Sequence, residues 1–150
     1  MLTLVHHTDP ILTKQALPVK KMSRGIRDTV AQMFAVMYAE NGIGLAGPQV
    51  GVPLQIITID LGGDPFCLIN PKIVSKSNET NTNIEACLSF PNQYYEVDRS
   101  LSVLVKAKDI NFREIKLRAT GLLSICIQHE YDHLMGVTFD KIGKIVLGRA

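Results

Sequence analysis

The feature that most constrains this chain is the segment 121–135, which is apolar around most of its circumference when wound as a helix. Its apolar positions are Leu122, Leu123, Ile125, Cys126, Ile127 and Leu134. A helix with so little polar surface has to be enclosed by the rest of the domain. Gly136 follows it as a carboxyl-terminal cap. The segment therefore predicts a buried central helix with sheets wrapped around it.

The same helix carries an HExxH pattern in His129-Glu130-Tyr131-Asp132-His133. Two histidines four residues apart lie one turn from each other, so both imidazoles can reach one ion, and Glu130 reaches the same space. The pattern is typical of metal-dependent hydrolases. The alternative is an exposed, charged face with two unrelated histidines. Burial of the helix favours the metal, because two imidazoles and a carboxylate are costly inside a domain unless a metal or partners satisfy them.

Length and composition indicate one domain over residues 1–150 with a short carboxyl-terminal end. The chain is long enough for one core and too short for two domains of typical size. Its 46% hydrophobic and 20% charged residues are ordinary for a globular protein. The net charge of +2 argues against electrostatically driven binding to nucleic acid or a membrane, although it leaves room for a local basic patch. No apolar run approaches the ~18 residues that cross a bilayer.

The three cysteines are an odd number in a chain without a secretory signal. A reducing, cytoplasmic location is the expectation. Cys67 lies in an apolar strand and Cys126 in the buried helix, where both fit as small hydrophobic residues.

The remaining patterns predict an α+β fold with antiparallel or mixed sheets. An amphipathic amino-terminal helix starts at Arg24 and ends before Asn41-Gly42. Strands are predicted over residues 54–60, 66–70, 72–75, 101–107 and 112–118. The polar run 76–83 predicts an exposed loop, and residues 145–147 form a last short apolar run.

The HExxH helix supplies only two metal ligands, His129 and His133, so a third ligand has to come from elsewhere in the chain. A catalytic site of this type uses three protein ligands and leaves one position for water. In the longer HExxHxxGxxH pattern the third histidine would be residue 139, which is Phe139, and no glutamate follows Glu130. The ligand therefore lies upstream or is Asp140. Cys87 is the strongest upstream candidate, because a thiolate binds borderline-soft metals well.

A glycine-rich stretch, 42–51, has four glycines in ten residues. A dinucleotide loop needs a strand before the glycines and a helix after them, whereas here a helix precedes the loop. The glycines instead allow the backbone to approach a ligand closely and leave Gln49 to present its amide inward.

Three stretches in this order resemble the three motifs of the peptide deformylases. They are Gly42-Ile43-Gly44-Leu45-Ala46-Gly47-Pro48-Gln49, Glu85-Ala86-Cys87-Leu88-Ser89 and His129-Glu130-Tyr131-Asp132-His133. The similarity runs from Asp9-Pro10 to Phe139. It implies a metal-dependent hydrolase that removes the formyl group from the amino-terminal formylmethionine of nascent polypeptides and releases formate.

The resemblance also implies roles for individual residues. Cys87, His129 and His133 would bind one divalent metal ion per chain, Fe²⁺ in cells and replaceable by Zn²⁺, Ni²⁺ or Co²⁺. Water on the metal would be the nucleophile and Glu130 the general base and then acid. The Gln49 side chain and the Leu88 N–H would stabilise the oxyanion.

The substrate methionine would enter an apolar pocket, and the Gly44 backbone would pair with the substrate as an added strand. The lining residues that match the family are Ile43, Leu122, Ile125, Cys126 and the ring of His129. Glu85 and Arg99 resemble a pair that braces the cysteine loop, with an exposed ion pair as the alternative. Asp132 is expected to orient the helix or a ligand, with ordinary solvated charge as the competing interpretation.

Three positions depart from the family pattern. Gly47 stands where Ala is usual, a change that we expect to be tolerated. Ala86 stands where Gly is usual; at positive φ it would cost roughly 1 kcal/mol and could displace Cys87, and at negative φ it would change little. Tyr94 stands where Arg is frequent, which affects the outer substrate contacts.

The expected partners are N-formylmethionyl peptides, with at most transient ribosome contact, because the long basic carboxyl-terminal helix of many bacterial members has no counterpart here. We expect a monomer. Two other functions are compatible with the same site. One is a binding module that holds formylated amino termini without hydrolysis, which Ala86 and Tyr94 suggest. The other is a hydrolase of other amides. A purely structural metal site has no use for a buried base such as Glu130.

Overall fold

The computed structural model describes residues 1–146, which form two antiparallel sheets and three helices. The helices are α1 (Arg24–Ala39), α2 (Gly121–Leu134) and α3 (Phe139–Ile142). The strands are β1 (Gly44–Ala46), β2 (Ile56–Ile59), β3 (Phe66–Lys76), β4 (Thr80–Cys87), β5 (Phe90–Ser100), β6 (Ser102–Lys108), β7 (Glu114–Thr120) and β8 (Lys144–Ile145). Short 3₁₀ helices cover Pro10–Thr13 and Gly47–Val50.

The larger sheet has the strand order β1-β2-β3-β6-β7, and the smaller one has the order β4-β5-β8. All neighbouring strands in both sheets are antiparallel. The predicted α+β fold is confirmed. No helix within residues 1–146 is long and apolar enough to span a membrane.

Helix α2 packs against one face of the larger sheet. Its Cys126, Ile127 and Leu134 belong to one buried cluster with Ile57 and Val105 of the sheet. The amino-terminal arm closes the far end of the helix, where Ala16 N–H donates to the Leu134 carbonyl at 2.8 Å. Most residues from Ser124 to Leu134 are buried, as predicted, but Leu122 in the first turn is 55% exposed.

Helix α1 covers the opposite face of the first three strands. Ser23 caps its amino terminus through a 3.2 Å hydrogen bond from Ile26 N–H. Its buried residues are Val30, Met33 and Met37, which pack with Leu45, Ile56, Cys67 and Ile69 of the sheet. Strands β1 and β2 thus lie between α1 and α2, so the glycine-rich stretch is held beside the HExxH helix.

Two predicted strands, 66–70 and 72–75, form the single strand β3. The Asn70-Pro71 step, where the two predicted strands meet, is an irregularity within the single strand. Asn70 has a φ of 53°, and the register with β6 shifts between Ile69 and Lys72. A bulge absorbs the proline that cannot donate to the ladder.

The predicted loop 76–83 is wrong in its second half, because β4 begins at Thr80. Residues 80–83 are polar, and β4 is an edge strand of its sheet, so no apolar alternation signals it. Pairing with β5 holds it, helped by a Thr82–Asp98 side-chain hydrogen bond. The sequence patterns also missed β5 itself. Leu147, the last residue of the predicted apolar run, lies outside the described residues.

Candidate active site

Strand β4 delivers two buried side chains toward α2. Burial alternates along it: Glu85 and Cys87 are buried, while Ile84 and Ala86 are exposed. Successive residues of a strand point to opposite faces, so Glu85 and Cys87 share the face that looks at the HExxH helix. The ladder with β5 is shifted between Ala86 and Cys87, where the chain turns out of the strand.

Cys87, His129 and His133 form a buried cluster whose candidate ligand atoms all lie within 4.8 Å of one another. The Cys87 Sγ is 3.3 Å from the His133 Nε2. One thiol and two imidazoles are donors that suit zinc, ferrous iron, nickel and cobalt. Asp140, the open alternative, is not part of this cluster and pairs with the Thr138 hydroxyl.

The ring of His129 is oriented from behind by Glu85, whose Oε1 lies 2.9 Å from its Nδ1. Arg99 donates two hydrogen bonds to the same carboxylate, from its Nε at 2.8 Å and its Nη2 at 2.9 Å. Its Nη1 donates to the Asp132 carboxylate at 2.6 Å. Arg99 is 4% exposed, so the exposed-ion-pair alternative does not describe this contact. Burial alone would raise the pKa of Glu85, but the hydrogen bonds from Arg99 and His129 lower it to about 2.

Glu130 lies next to the cluster with a carboxylate oxygen, Oε1, that has no hydrogen-bond partner among residues 1–146. Burial raises the pKa of Glu130 to about 7, against the lowering effect of His129. A carboxyl group with a pKa near neutrality can both take and return a proton at physiological pH. Its other oxygen lies so close to Gly44 that a Cβ there would be 2.8 Å away.

Without a metal, the two histidines have opposite pKa shifts. Burial would lower the pKa of His129, but the charge of Glu130 and hydrogen bonds with Cys87 and Glu85 raise it well above its usual value. Burial and the charge of His129 lower the pKa of His133. The Nδ1 of His133 is a second buried atom without a partner in residues 1–146.

Gln49 is fixed beside the cysteine. Its Oε1 accepts from the Ala46 N–H at 2.9 Å, which leaves its Nε2 as the outward donor. That nitrogen lies 3.4 Å from both the Cys87 Sγ and the Ser89 Oγ. Ser89, which is 1% exposed, was not predicted as part of the site; it lies two residues after Cys87, in the turn that follows β4.

A cavity of about 450 Å³ opens in front of these groups. It is lined by all the predicted substrate residues, namely Ile43, Gly44, Leu122, Ile125, Cys126 and His129. Leu88, Glu130 and Gln49 also face it. The sequence patterns missed Ile84, which is 61% exposed on the cavity wall; alternation along β4 gives no signal for it, because it puts Ile84 on the face opposite Glu85 and Cys87.

The three departures from the family pattern have different structural contexts. Ala86 has no positive φ, so a methyl there causes no backbone strain. At Gly47 a Cβ would lie 2.7 Å from the Leu54 carbonyl oxygen, so backbone occupies the space of the missing methyl. Tyr94 is half-buried opposite Ala86 in the β4–β5 ladder.

The thiols of Cys67 and Cys126 are protonated and unreactive at neutral pH. Burial raises the pKa of Cys67 to about 11 and raises the pKa of Cys126 still further. Cys126 faces the cavity, whereas Cys67 belongs to the cluster under α1. All three cysteines are free.

The site thus combines a buried Cys-His-His cluster with a buried carboxylate at the end of an open cavity. This is the arrangement of a metal-dependent hydrolase. Comparison with known proteins gives the family: the sequence model of the polypeptide deformylases matches residues 1–145. The chain belongs to this family, whose members remove the formyl group from the amino terminus of new polypeptides.

Relatives agree with this assignment over most of the chain. A peptide deformylase of Baumannia cicadellinicola subsp. Homalodisca coagulata is 42% identical over 142 residues, 93% of this chain and 84% of that protein. The Synechococcus elongatus peptide deformylase, solved in complex with actinonin, superposes with a TM-score of 0.93 at 44% identity, over 95% of this chain and 79% of that one. The Thermotoga maritima enzyme gives 0.92 at 35% identity, over 95% and 97% of the two chains.

Proposed function

We propose that this chain hydrolyses N-formylmethionyl peptides at the Cys87-His129-His133 cluster, with Glu130 as general base and acid. The observation that carries the proposal is the position of the Glu130 Oε1, which has no hydrogen-bond partner among residues 1–146, next to three convergent metal-ligand side chains. The ion is a single divalent metal, Fe²⁺ in the cell, and Zn²⁺, Ni²⁺ or Co²⁺ can replace it because one thiolate and two imidazoles suit all four.

A bound divalent metal supplies Lewis acidity, which lowers the pKa of water and polarises the formyl carbonyl. The chain's own residues handle the proton. The Glu130 carboxylate takes the proton of the attacking water and returns it to the amine that leaves. Glu85 and Arg99 keep His129 in one orientation while this happens.

Two donors serve the oxyanion that forms on the formyl oxygen. The Gln49 Nε2 is one, because its own carbonyl is already engaged by the Ala46 N–H. The Leu88 backbone N–H, one residue beyond Cys87 at the cavity wall, is the other. Removing one such donor typically costs ~3 kcal/mol of transition-state stabilisation.

The methionine side chain of the substrate occupies the apolar part of the cavity between Ile43, Leu122 and Ile125. The substrate backbone pairs with Gly44 at the end of β1, an edge strand of the larger sheet. Three related deformylases were solved in complex with actinonin, and we propose that this cavity binds the same compound. The three cysteines are free thiols, which suits a protein of the reducing cytoplasm. We propose that the chain acts there as a monomer. Its contact with the ribosome is transient at most.

The test is formate release from formyl-Met-Ala-Ser by the iron- or nickel-loaded protein. Glu130→Gln should retain about one metal ion per chain and lose turnover, since the amide cannot accept a proton. Glu40→Gln, an exposed residue after α1, is the matched control and should keep full activity. Metal-loaded parent protein that binds the peptide without releasing formate would leave only a binding module, and faster turnover of acetylated peptides would indicate another amide hydrolase.

A further inference from the structure

Strand β4 and helix α2 run side by side at the site in a fixed register. The Cys87 Sγ lies 3.3 Å from the His133 Nε2, and the Glu85 Oε1 lies 2.9 Å from the His129 Nδ1. Two residues back along the strand, ~7 Å, therefore match four residues back along the helix, ~6 Å. The next step of this register lies two residues before Glu85 and four residues before His129.

Asn83 occupies that next position on the strand, and Ile125 occupies it on the helix. The burial of Asn83 agrees, because its side chain is half-buried whereas its neighbours Thr82 and Ile84 are exposed. Asn83 and Ile125 also line the same cavity. In the proposed function, the methionine side chain lies at this end of the cavity, against Ile125 and Leu122. An amide therefore belongs to the wall of a pocket that the sequence predicts to be apolar.

The side-chain amide of Asn83 makes no hydrogen bond with another residue of the described chain, 1–146. A ligand that covers this amide removes its hydration, which is unfavourable unless the ligand supplies a hydrogen-bond partner. The thioether sulfur of methionine is only a weak acceptor, so methionine compensates the amide poorly. Methionine sulfoxide keeps the same carbon skeleton but replaces the thioether with a polar group whose oxygen accepts hydrogen bonds.

We infer that Asn83 determines specificity for the first residue of the substrate, and that through it the chain takes N-formylmethionine sulfoxide peptides as well as N-formylmethionyl peptides. The Asn83 Nδ2 donates to the sulfoxide oxygen. In a wholly apolar pocket that oxygen would lose its hydration without compensation, and the sulfoxide would be rejected. The inference rests on the proposed function, because it concerns the same cavity.

The lengths of substrate and strand agree with this contact. The sulfur of formylmethionine is five bonds from the formyl carbon, ~6 Å in an extended chain. Asn83 lies ~13 Å from Cys87 along β4. With the formyl group at the cysteine end of the cavity, the sulfoxide oxygen and the Asn83 side chain extend toward each other across the remaining distance.

The test compares formyl-Met-Ala-Ser with the same peptide carrying methionine sulfoxide, by formate release from the nickel-loaded chain. In the parent, kcat/KM for the sulfoxide peptide should lie within about tenfold of the value for the unoxidised peptide. Asn83→Leu should lower this ratio by about tenfold, because a leucine of similar size cannot donate. Asn83→Asp should lower it as well, because a carboxylate only accepts. Asn81→Leu, on the same face of β4 but outside the cavity, is the matched control and should keep the parent ratio.

Equilibrium binding separates this inference from the proposed function. In a metal-loaded Glu130→Gln background, which should not turn over, calorimetry gives a dissociation constant for each peptide. Adding Asn83→Leu to that background should weaken the sulfoxide peptide about tenfold more than the unoxidised peptide. A parent chain that releases formate from neither peptide would overturn the proposed function, while the ratio of the two dissociation constants would still decide the role of Asn83.

Three results would overturn the inference. The first is a sulfoxide ratio that Asn83→Leu leaves unchanged, or that Asn81→Leu changes equally. The second is a parent chain that rejects the sulfoxide peptide by more than about 100-fold in turnover, or that binds neither peptide. The third is a variant that changes the preference between alanine and lysine at the second residue of the peptide but keeps the sulfoxide ratio, because Asn83 would then contact the second residue.

Discussion

The Nδ1 of His129 lies 2.9 Å from the Oε1 of Glu85, and both side chains are buried. This contact joins the two halves of the site, since His129 belongs to α2 and Glu85 to the smaller sheet. It also leaves the Nε2 of the ring as the nitrogen available to a metal. Arg99 holds the carboxylate from the other side with two hydrogen bonds.

Replacing Glu85 with Ala should weaken both metal binding and folding. The metal affinity should fall 10- to 100-fold, because the His129 ring loses the partner that orients it. The free energy of unfolding should fall by about 3 kcal/mol, because Arg99 loses its main partner in a buried position. Competitive metal titration and urea unfolding measure the two effects. Glu96→Ala, an exposed glutamate on the same sheet, is the control, and an unchanged metal affinity in Glu85→Ala would contradict the orienting role.

Glu85 should also give the metal-free protein an acid-sensitive component of stability. Its pKa is about 2 in the folded chain, against 4.5 for an unperturbed glutamate. A lowered folded pKa contributes stability that is present above about pH 4.5 and is lost as the pH falls toward 2. Urea unfolding at a series of pH values, with a chelator present, should therefore give a flatter profile over this range for Glu85→Gln than for the parent. Parallel profiles would show that the carboxylate is not stabilised by Arg99 and His129.

Binding of a metal to the metal-free chain should release protons. The pKa of His129 is raised well above its usual value, so this ring carries a proton near neutral pH that a metal must displace, whereas His133 is already neutral. Affinity should accordingly fall as the pH is lowered. Calorimetric titration with Zn²⁺ in two buffers of different ionisation enthalpy measures the number of protons released. A binding heat that does not depend on the buffer would exclude protonated His129.

Gly44→Ala should abolish most activity with little loss of folding. A Cβ at this position would lie 2.7 Å from the Cys126 Sγ and 2.8 Å from the Glu130 Oε2, so the carboxylate must move. Small displacements of a catalytic base cost about 10²-fold in rate. Formate release and thermal unfolding distinguish the two effects. Gly25→Ala in α1, where the nearest atom is 3.7 Å away, is the matched control and should be fully active. Normal turnover in Gly44→Ala would show that Glu130 tolerates displacement.

Much of the centre of the fold could be predicted because its signals are local. The apolar circumference of α2 and the spacing of its two histidines lie within one short segment, and the structure places that segment against the larger sheet. Helix α1 was equally visible from its period and its Asn41 stop. A helical period is visible in a sequence when one face of the helix packs against a core, and both helices have such a face.

The smaller sheet could not be predicted, because backbone pairing rather than side-chain burial holds its edge. Residues 80–83 are polar, and residues 90–100 mix buried and exposed positions, so neither run has a clear period. The link from Glu85 to His129 spans 44 residues, and only the fold brings the two side chains together.

Gln128→Ala should loosen the attachment of α2 to the smaller sheet. The Gln128 Oε1 accepts from the Ser100 N–H at 3.0 Å, and its Nε2 donates to the Ser100 carbonyl at 2.9 Å. Ser100 directly follows Arg99, and Gln128 directly precedes His129, so this bridge fixes the distance between the two ends of the bracing network. Truncation leaves the buried Ser100 N–H without its partner, at a cost of about 2 kcal/mol.

Urea unfolding measures that loss in Gln128→Ala, and the exposed Gln15→Ala should change stability by less than about 0.5 kcal/mol. Because the bridge acts on the position of α2 and touches neither substrate nor metal ligand, the metal dissociation rate should rise while the KM for formyl-Met-Ala-Ser stays near the parent value. A stability loss with unchanged metal dissociation would mean that Arg99 and Glu85 hold His129 without help from Gln128.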